Sequence, residues 1–357
     1  MVSFIKNTIK FFFVKKMILH LRHDFFNSYN YFSIKIQKRI FGFQKLIIMS
    51  IFSIAIHGGA GTLVKGLMTK ELEAQYRDAL KVAREAGYNV LKDGGSAIDA
   101  VETSVRFLED SPLFNAGKGS VFTAEGTHEM DAAIMEGENL EAGAVSLITG
   151  IKNPIALARD VMDKSYHVFL AGEGAMKFAE DQGYEVESPN YFYDEIRYKQ
   201  WQGIKDSDNF QLDHSVKKDG KFGTVGAVAC DQNGNIAAAT STGGMTNKKW
   251  GRVGDSPMIG AGNYANNKTC AVSCTGSGEF FIRGVVAYDV SCLMEFRDLS
   301  LEDAADEVIN KRILEIKGDG GLIAVDAKGN IAMPFNTEGM YRACKSSNGR
   351  EEISIYK

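Results

Sequence analysis

Hydrophobic and polar residues change their spacing several times along the chain, and each change marks an element. From Ile51 the string IFSIAIHGGAGT reads as an apolar strand running into a glycine turn at His57–Thr62. Leu72, Tyr76, Ala79, Leu80, Ala83, Ala86 and Val90 then recur at helical spacing until Asp93-Gly94-Gly95 stops the helix. Ser96 caps a second helix that runs through Ala100, Ser104 and Leu108 to the breaker Ser111-Pro112. Short strands and turns follow, among them VFTAEGTHEMDAAIMEG and EAGAVSLI, before a helix begins at Asn153-Pro154. Residues 185–222 cluster Tyr, Asp, Lys and Gln with almost no periodicity and read as a linker, longer than a compact domain holds without a functional reason.

Beyond the linker the pattern repeats. GAVACDQNGNIAAATST (226–242) and GLIAVDAKGNIAMPFNT (321–337) align without gaps, each a strand, an Asx/Gly turn and a strand. Small apolar residues on both faces of these hairpins predict sheets buried on both sides with helices outside, a layered α/β sandwich with Thr224 at the start of a buried strand.

The first 48 residues follow neither pattern. Lys and Arg interrupt every apolar run, so none approaches the roughly 18 apolar residues of a membrane span, and no small-residue cleavage site completes a signal peptide. Seven Lys and two Arg face only Asp24 there, so this segment carries +8 and the remainder −12 of the net −4. It reads as an appendage outside the fold, translated from upstream of a start at Met49, with a membrane-surface or targeting helix as the alternative. No nucleic-acid partner, and no membrane partner for the core, is expected.

Composition changes this picture little. A chain of 357 residues with 45% apolar residues can bury a full core, and 37 glycines against 5 prolines favour tight turns and close backbone approaches. Five cysteines without CxxC or a Cys/His metal spacing read as reduced thiols of a cytoplasmic protein. The glycine turn after the first strand fits no G-x-G-x-x-G register, and Leu67 stands where a phosphate loop needs lysine, which argues against nucleotide binding.

The chemistry gathers around GKFGTVGAVACDQNGNIAAATSTGG, 220–244. A threonine hydroxyl is a poor nucleophile without a base, and one solution uses the α-amine of the same residue, whose ordinary pKa of about 7.7–8.0 suits a general base near neutrality. That requires Thr224 to become a chain terminus through cleavage of the Gly223–Thr224 bond. Taken alone, Thr224 is equally an ordinary β-branched strand residue.

The flanking strings weigh against that second reading. IAIHGGAGT, DGGSAIDAVETSVRFLEDSPLFNAGKGSVFT, HEMDAAIM, GTVGAVACD, ATSTGGMTNKKWGRVGDSPMIGAGNYANN and VSCTGSGEFFIR resemble the plant-type L-asparaginases, or isoaspartyl peptidases, which are N-terminal nucleophile hydrolases. The resemblance runs from about Ile51 to the C-terminus and leaves 1–48 uncovered. It implies a four-layer αββα sandwich and a precursor that cuts itself into an α subunit of 51–223 (linker about 185–223) and a β subunit of 224–357, together one domain. Two such heterodimers pair in the family as (αβ)2. The nucleophile would be Thr224, with Thr242 bonding its hydroxyl and amine. Thr275 and the backbone of Gly276, helped by Asn115, would line the oxyanion site, and Gly278 would adjoin the substrate.

Arg252 can fork two N–H groups to an α-carboxylate, and Asp255 can accept from an α-ammonium. Together they read a free amino-acid end, which presents the β-amide of L-asparagine or of an isoaspartyl dipeptide to Thr224. Standing alone, GRVGD is a surface ion pair in a turn. The resemblance also implies a structural sodium ion on the backbone carbonyls of Leu108, Glu109, Ser111, Phe114, Ala116 and Lys118, and no cofactor for catalysis. His57 and His128 read as structural hydrogen-bonders. Lys249-Trp250 departs from the pattern at the pocket rim and bears on substrate preference.

Three alternatives weigh less. A glycosylasparaginase would cut after aspartate and carry Asn and Asp where Gly243 and Glu279 stand here. Nothing in the chain marks the acceptor that a γ-glutamyl transferase requires. A non-enzymatic binding module on the same fold is expected to have lost Thr224, Thr242 or Arg252, and all three are present.

Overall fold

Strand β1 (Ser53–Gly61) is buried on both faces along its whole length, and the described fold is built around it. The structure, a computed structural model, describes residues 51–61, 63–206 and 223–357. The N-terminal extension and the second half of the linker lie outside the described residues. Strands β2 (Met130–Glu136), β3 (Ala142–Ile148), β4 (Phe169–Ala171), β5 (Val225–Cys230), β6 (Ile236–Thr242), β7 (Asn263–Ala265), β8 (Cys270–Gly276), β9 (Gly320–Asp326), β10 (Ile331–Ala332), β11 (Gly339–Ser346) and β12 (Glu351–Tyr356) complete two sheets. The eight-stranded sheet has the order β12-β11-β1-β5-β6-β2-β3-β4, and the four-stranded sheet the order β10-β9-β8-β7.

The helices are α1 (Lys70–Lys92), α2 (Ala97–Glu109), α3 (Pro154–Lys164), α4 (Gly172–Asp181), α5 (Pro189–Phe192), α6 (Glu195–Gln202), α7 (Gly278–Gly284), α8 (Val286–Arg297), α9 (Leu301–Glu307) and α10 (Ile313–Glu315). The first four cover the outer face of the large sheet, while α8 and α9 cover the small one. Three apolar layers follow: Ile54, Leu80 and Val101 between helices and large sheet, Ala55, Val228 and Ile323 between the sheets, and Val272, Val290 and Ile309 beneath the outer helices of the small sheet. This is the αββα sandwich. Thin middle strands such as VGAVAC and IAAATST permit it, because alanine and glycine let the sheets approach closely.

Local signals set the element ends. Thr69 Oγ1 accepts from Leu72 N at 3.2 Å at the start of α1, and Ser96 Oγ accepts from Asp99 N at 3.3 Å at the start of α2, each cap contributing about 1 kcal/mol. Both repeated hairpins form, β5 with β6 and β9 with β10, and the tertiary structure sends them to different sheets.

Two local expectations need amending. The glycines after His57 do not turn the chain: β1 continues through Gly61, with a register shift between His57 and Gly59. The reason lies in Gly59, whose φ of +112° is a glycine conformation and whose missing Cβ leaves room for Gly223 N, 2.5 Å from where that Cβ would stand. The segment 185–206, which lacks periodicity, contains α5 and α6. Its order comes from aromatic packing rather than an amphipathic stripe, with Trp201 stacked on Phe122 at 5.6 Å and His128 lying between the rings of Phe122 and Phe192.

Candidate active site

Thr224 sits immediately before β5 and is 9% exposed. Its Oγ1 donates to Thr242 Oγ1 at 3.1 Å and lies 3.2 Å from Ser256 Oγ. Thr242 ends β6, the hairpin partner of β5, so the turn that joins these strands also brings the two hydroxyls together. Thr242 Oγ1 accepts in addition from Gly244 N at 3.0 Å, which fixes the side chain.

Asn115 clamps that same turn. Its Nδ2 donates to Gly244 O at 2.7 Å, its Oδ1 accepts from Val121 N at 3.1 Å, and its backbone carbonyl accepts from Gly243 N at 3.0 Å. Gly243 must lack a side chain here, because a Cβ would run into Asn115 Oδ1 and Ser120. The loop bearing Asn115 is held to the sheet by Phe114, which packs edge-on against Tyr76 and Tyr341.

Thr275, on β8 of the opposite sheet, faces the Gly223–Thr224 junction. Its Oγ1 accepts from Ala60 N at 3.2 Å and lies 2.9 Å from where a Cβ on Gly223 would be. Gly276 and Gly278 follow as the chain leaves β8 for α7, and a Cβ at Gly278 would come within 2.8 Å of Asp255 Oδ1 and 2.9 Å of an Arg252 terminal nitrogen. The glycine therefore keeps the space beside both groups open.

Arg252 and Asp255 lie together, but Arg252 already has a partner. Its Nε and one terminal nitrogen fork Glu279 Oε1 and Oε2 at 2.9 and 3.0 Å. Asp255 is buried, its Oδ2 has no hydrogen-bond partner among the described residues, and burial pushes its pKa up to about 7 while Arg252 pulls it down. A buried carboxyl with an unused oxygen beside a guanidinium suits an incoming ammonium group. Asp131, paired with Thr242 across β2 and β6, accepts from Leu147 N at 3.0 Å, and burial raises its pKa as well. Lys248, itself buried, donates to Glu129 O at 3.1 Å and lowers the cost of that second carboxyl.

Sequence reasoning missed Ser256, Glu279, Asp131 and Lys248. Ser256 was within reach, since it follows Asp255 directly in GDSP. Glu279 carries no local signal of its role, because its fork with Arg252 spans 27 residues. Trp250 is 89% exposed with φ +58°, so its indole stands in solvent, outside the buried hydroxyl cluster.

The 108–118 loop coils tightly. A Cβ on Gly117 would come within 2.5 Å of Glu109 O, and one on Gly119 would meet Phe114 O, so main-chain oxygens crowd its concave side. Phe114 O and Ala116 O each accept a backbone N–H, which leaves each a second lone pair, while Leu108 O accepts from both Asp110 N and Ser111 N; an all-oxygen donor set fits a hard cation. Lys118 Nζ lies 5.4 Å from the centre of the Tyr191 ring. Among the described residues no group of three or more His, Cys, Asp or Glu is arranged to hold a metal ion. All five cysteines are free. Among the described residues no helix is long and apolar enough to cross a membrane.

Residues 50–355 match the asparaginase family profile. The chain is 51% identical over 307 residues to the isoaspartyl peptidase of Salmonella typhimurium, an alignment covering 85% of this chain and 98% of that protein. It is 46% identical over 304 residues to the isoaspartyl peptidase/L-asparaginase of Xenopus laevis, covering 85% and 94%. It is 44% identical over 318 residues to the plant-type L-asparaginase of Pyrococcus abyssi, covering 85% and 99%. With the sandwich, the paired threonines and a match across nearly all of the described fold, the chain belongs to the asparaginase family.

Proposed function

We propose that the protein is an amidohydrolase that cuts itself before Thr224 and then hydrolyses the β-amide of L-asparagine and of β-linked isoaspartyl dipeptides, releasing L-aspartate. The observation that carries this reading is the Thr224 hydroxyl held by Thr242 and by Ser256, the residue that follows Asp255, with Asp255 and Arg252 both bordering Gly278. In maturation the Thr224 oxygen attacks the Gly223 carbonyl carbon, and the acyl group passes from nitrogen to oxygen. Water then hydrolyses the ester, leaving a carboxylate on Gly223 and a free amine on Thr224. The products are the 51–223 and 224–357 parts of one sandwich, and two such pairs assemble as (αβ)2.

In the mature enzyme the α-amine takes the proton from Oγ1 as the oxygen attacks the β-carbonyl carbon. Thr275 Oγ1 and Gly276 N stabilise the oxyanion. The C–N bond breaks, the leaving amine takes up the proton, and water releases aspartate from the acyl-enzyme. Arg252 holds the substrate α-carboxylate, sharing its guanidinium with Glu279 or exchanging one carboxylate for the other, and Asp255 holds the α-ammonium beside Gly278. Asn115 keeps the turn after Thr242 in place. A hard monovalent cation such as sodium, held by main-chain oxygens of Leu108, Glu109, Ser111, Phe114, Ala116 and Lys118, would brace the loop that carries Asn115 and takes no part in bond making.

The reading is tested by intact mass and N-terminal sequencing of purified protein, together with assays on L-asparagine and β-Asp-Leu. Two fragments with Thr224 as a new terminus are expected, and Thr224→Ala should remain one chain without amidase activity. An alanine variant that hydrolyses either substrate at the wild-type rate would place the nucleophile elsewhere.

A further inference from the structure

A line of buried polar groups crosses the space between the two sheets directly behind Thr224. His57 Nδ1 lies 3.0 Å from the carbonyl oxygen of Thr224, and its Nε2 lies 3.0 Å from Ser273 Oγ. Ser273 Oγ lies 2.7 Å from Thr240 Oγ1, which accepts from Asn263 Nδ2 at 3.0 Å. His57 and Thr240 stand on β1 and β6 of the large sheet, while Ser273 and Asn263 are register partners on β8 and β7 of the small one. All four side chains are fully buried.

The line has one consistent direction. A carbonyl oxygen only accepts, so His57 must carry a proton on Nδ1. Burial pushes the imidazole pKa down to about 3, so the ring is neutral and Nε2 must accept. Ser273 therefore gives its single proton to His57, and its oxygen takes the proton of Thr240. Asn263 donates to Thr240 and closes the chain with a group that has protons to spare. Thr240 also has Gly262 O at 3.2 Å, the longer of its two acceptor distances.

Gly226 makes this crossing possible. It pairs with His57 on one side and Thr240 on the other, so it lies between them in the sheet. A Cβ there would stand 2.6 Å from His57 Nε2 and would run into Ser273 Oγ. The glycine two residues after Thr224 is thus a gap through which Ser273 reaches from the opposite sheet.

We propose that His57 is a positioning residue for Thr224, its Nδ1–H fixed by the directional chain Asn263–Thr240–Ser273 and used to pin the Thr224 carbonyl. This rests on the reading of Thr224 as the nucleophile. Once Gly223–Thr224 is cut, Thr224 is a chain end, and chain ends fray unless tied down. A pinned carbonyl keeps the amine and Oγ1 of the same residue aimed at the substrate. Substrate binding, which belongs to Arg252 and Asp255, does not depend on the pin.

Ser273→Ala removes the proton donor to Nε2 without adding bulk, and the test compares it with wild type and Thr224→Ala. Ser273→Ala should mature more slowly and lose at least tenfold in kcat with KM within about twofold. His57→Asn, whose amide can place an N–H where Nδ1 stands, should keep more activity than His57→Ala. In wild-type protein labelled with 15N-histidine, the resonance lost in His57→Asn should report a neutral ring protonated on Nδ1 down to pH 5. A ring protonated on Nε2, or a folded Ser273→Ala protein with unchanged kcat, overturns the inference while Thr224→Ala stays inactive. An active Thr224→Ala protein instead overturns the underlying reading. The tautomer measurement needs no variant to be active, so a misfolded Ser273→Ala protein still leaves the question decided.

Discussion

Thr224 Oγ1 donates to Thr242 Oγ1 at 3.1 Å across 18 residues of chain, because the β5–β6 hairpin returns the second threonine beside the first. Thr242 in turn accepts from Gly244 N, so its oxygen meets Thr224 from a fixed direction.

Thr242→Val keeps the shape and removes the acceptor. Loss of one hydrogen bond of about 0.5–1.5 kcal/mol should slow fragment formation, followed by gel densitometry, by up to roughly tenfold. Thr242→Ser retains the oxygen and should mature close to the wild-type rate. Equal rates for all three proteins would remove Thr242 from the mechanism.

Arg252→Lys keeps the charge and loses the planar fork. A charge-assisted hydrogen bond contributes roughly 1.5–3 kcal/mol, so kcat/KM for L-asparagine should fall about tenfold or more while maturation proceeds normally. Unchanged kinetics would confine Arg252 to its ion pair with Glu279.

Two groups must lose protons before the free enzyme can act. The Thr224 amine has an ordinary pKa of about 7.7–8.0, and Asp255, pushed up to about 7 by burial, must be a carboxylate to accept the substrate ammonium. Both raise kcat/KM as pH rises, so the acid limb of log kcat/KM should steepen toward a slope of about 2 below pH ~7. Asp255→Asn should lower kcat/KM at pH 8 and reduce that slope to about 1. A wild-type limb of slope 1 would show that Asp255 is already ionised there.

A chain beginning at Met49 should fold, cleave and hydrolyse like the full-length protein, because the family match starts at residue 50 and β1 at Ser53. If residues 1–48 bind membranes through their excess of Lys and Arg, truncation should abolish salt-sensitive co-sedimentation with anionic liposomes and leave activity intact. A truncated protein that fails to fold would place the extension within the core.

The sequence by itself determined the elements whose signals are local. Period and caps mark α1 and α2, the Asx/Gly turns mark both hairpins, and small apolar residues on both faces of 226–242 announce a doubly covered sheet. The flanking motifs singled out Thr224, Thr242, Arg252 and Asp255. Only the tertiary structure decided that Arg252 is already forked by Glu279, that Ser256 lies against Thr224, and that His57 joins a chain through Ser273 to Asn263. It also buried Arg84, a charged residue on the apolar face of α1, where the Cys344 and Glu352 carbonyls accept from its guanidinium. The physical reason is range. A helix stripe or a turn is fixed by residues three or four apart, whereas His57 and Ser273 are separated by 216 residues and meet only because two sheets pack face to face. Gly226 shows the limit most clearly: the sequence displays a glycine in a strand, and only the opposing sheet explains why no side chain fits there.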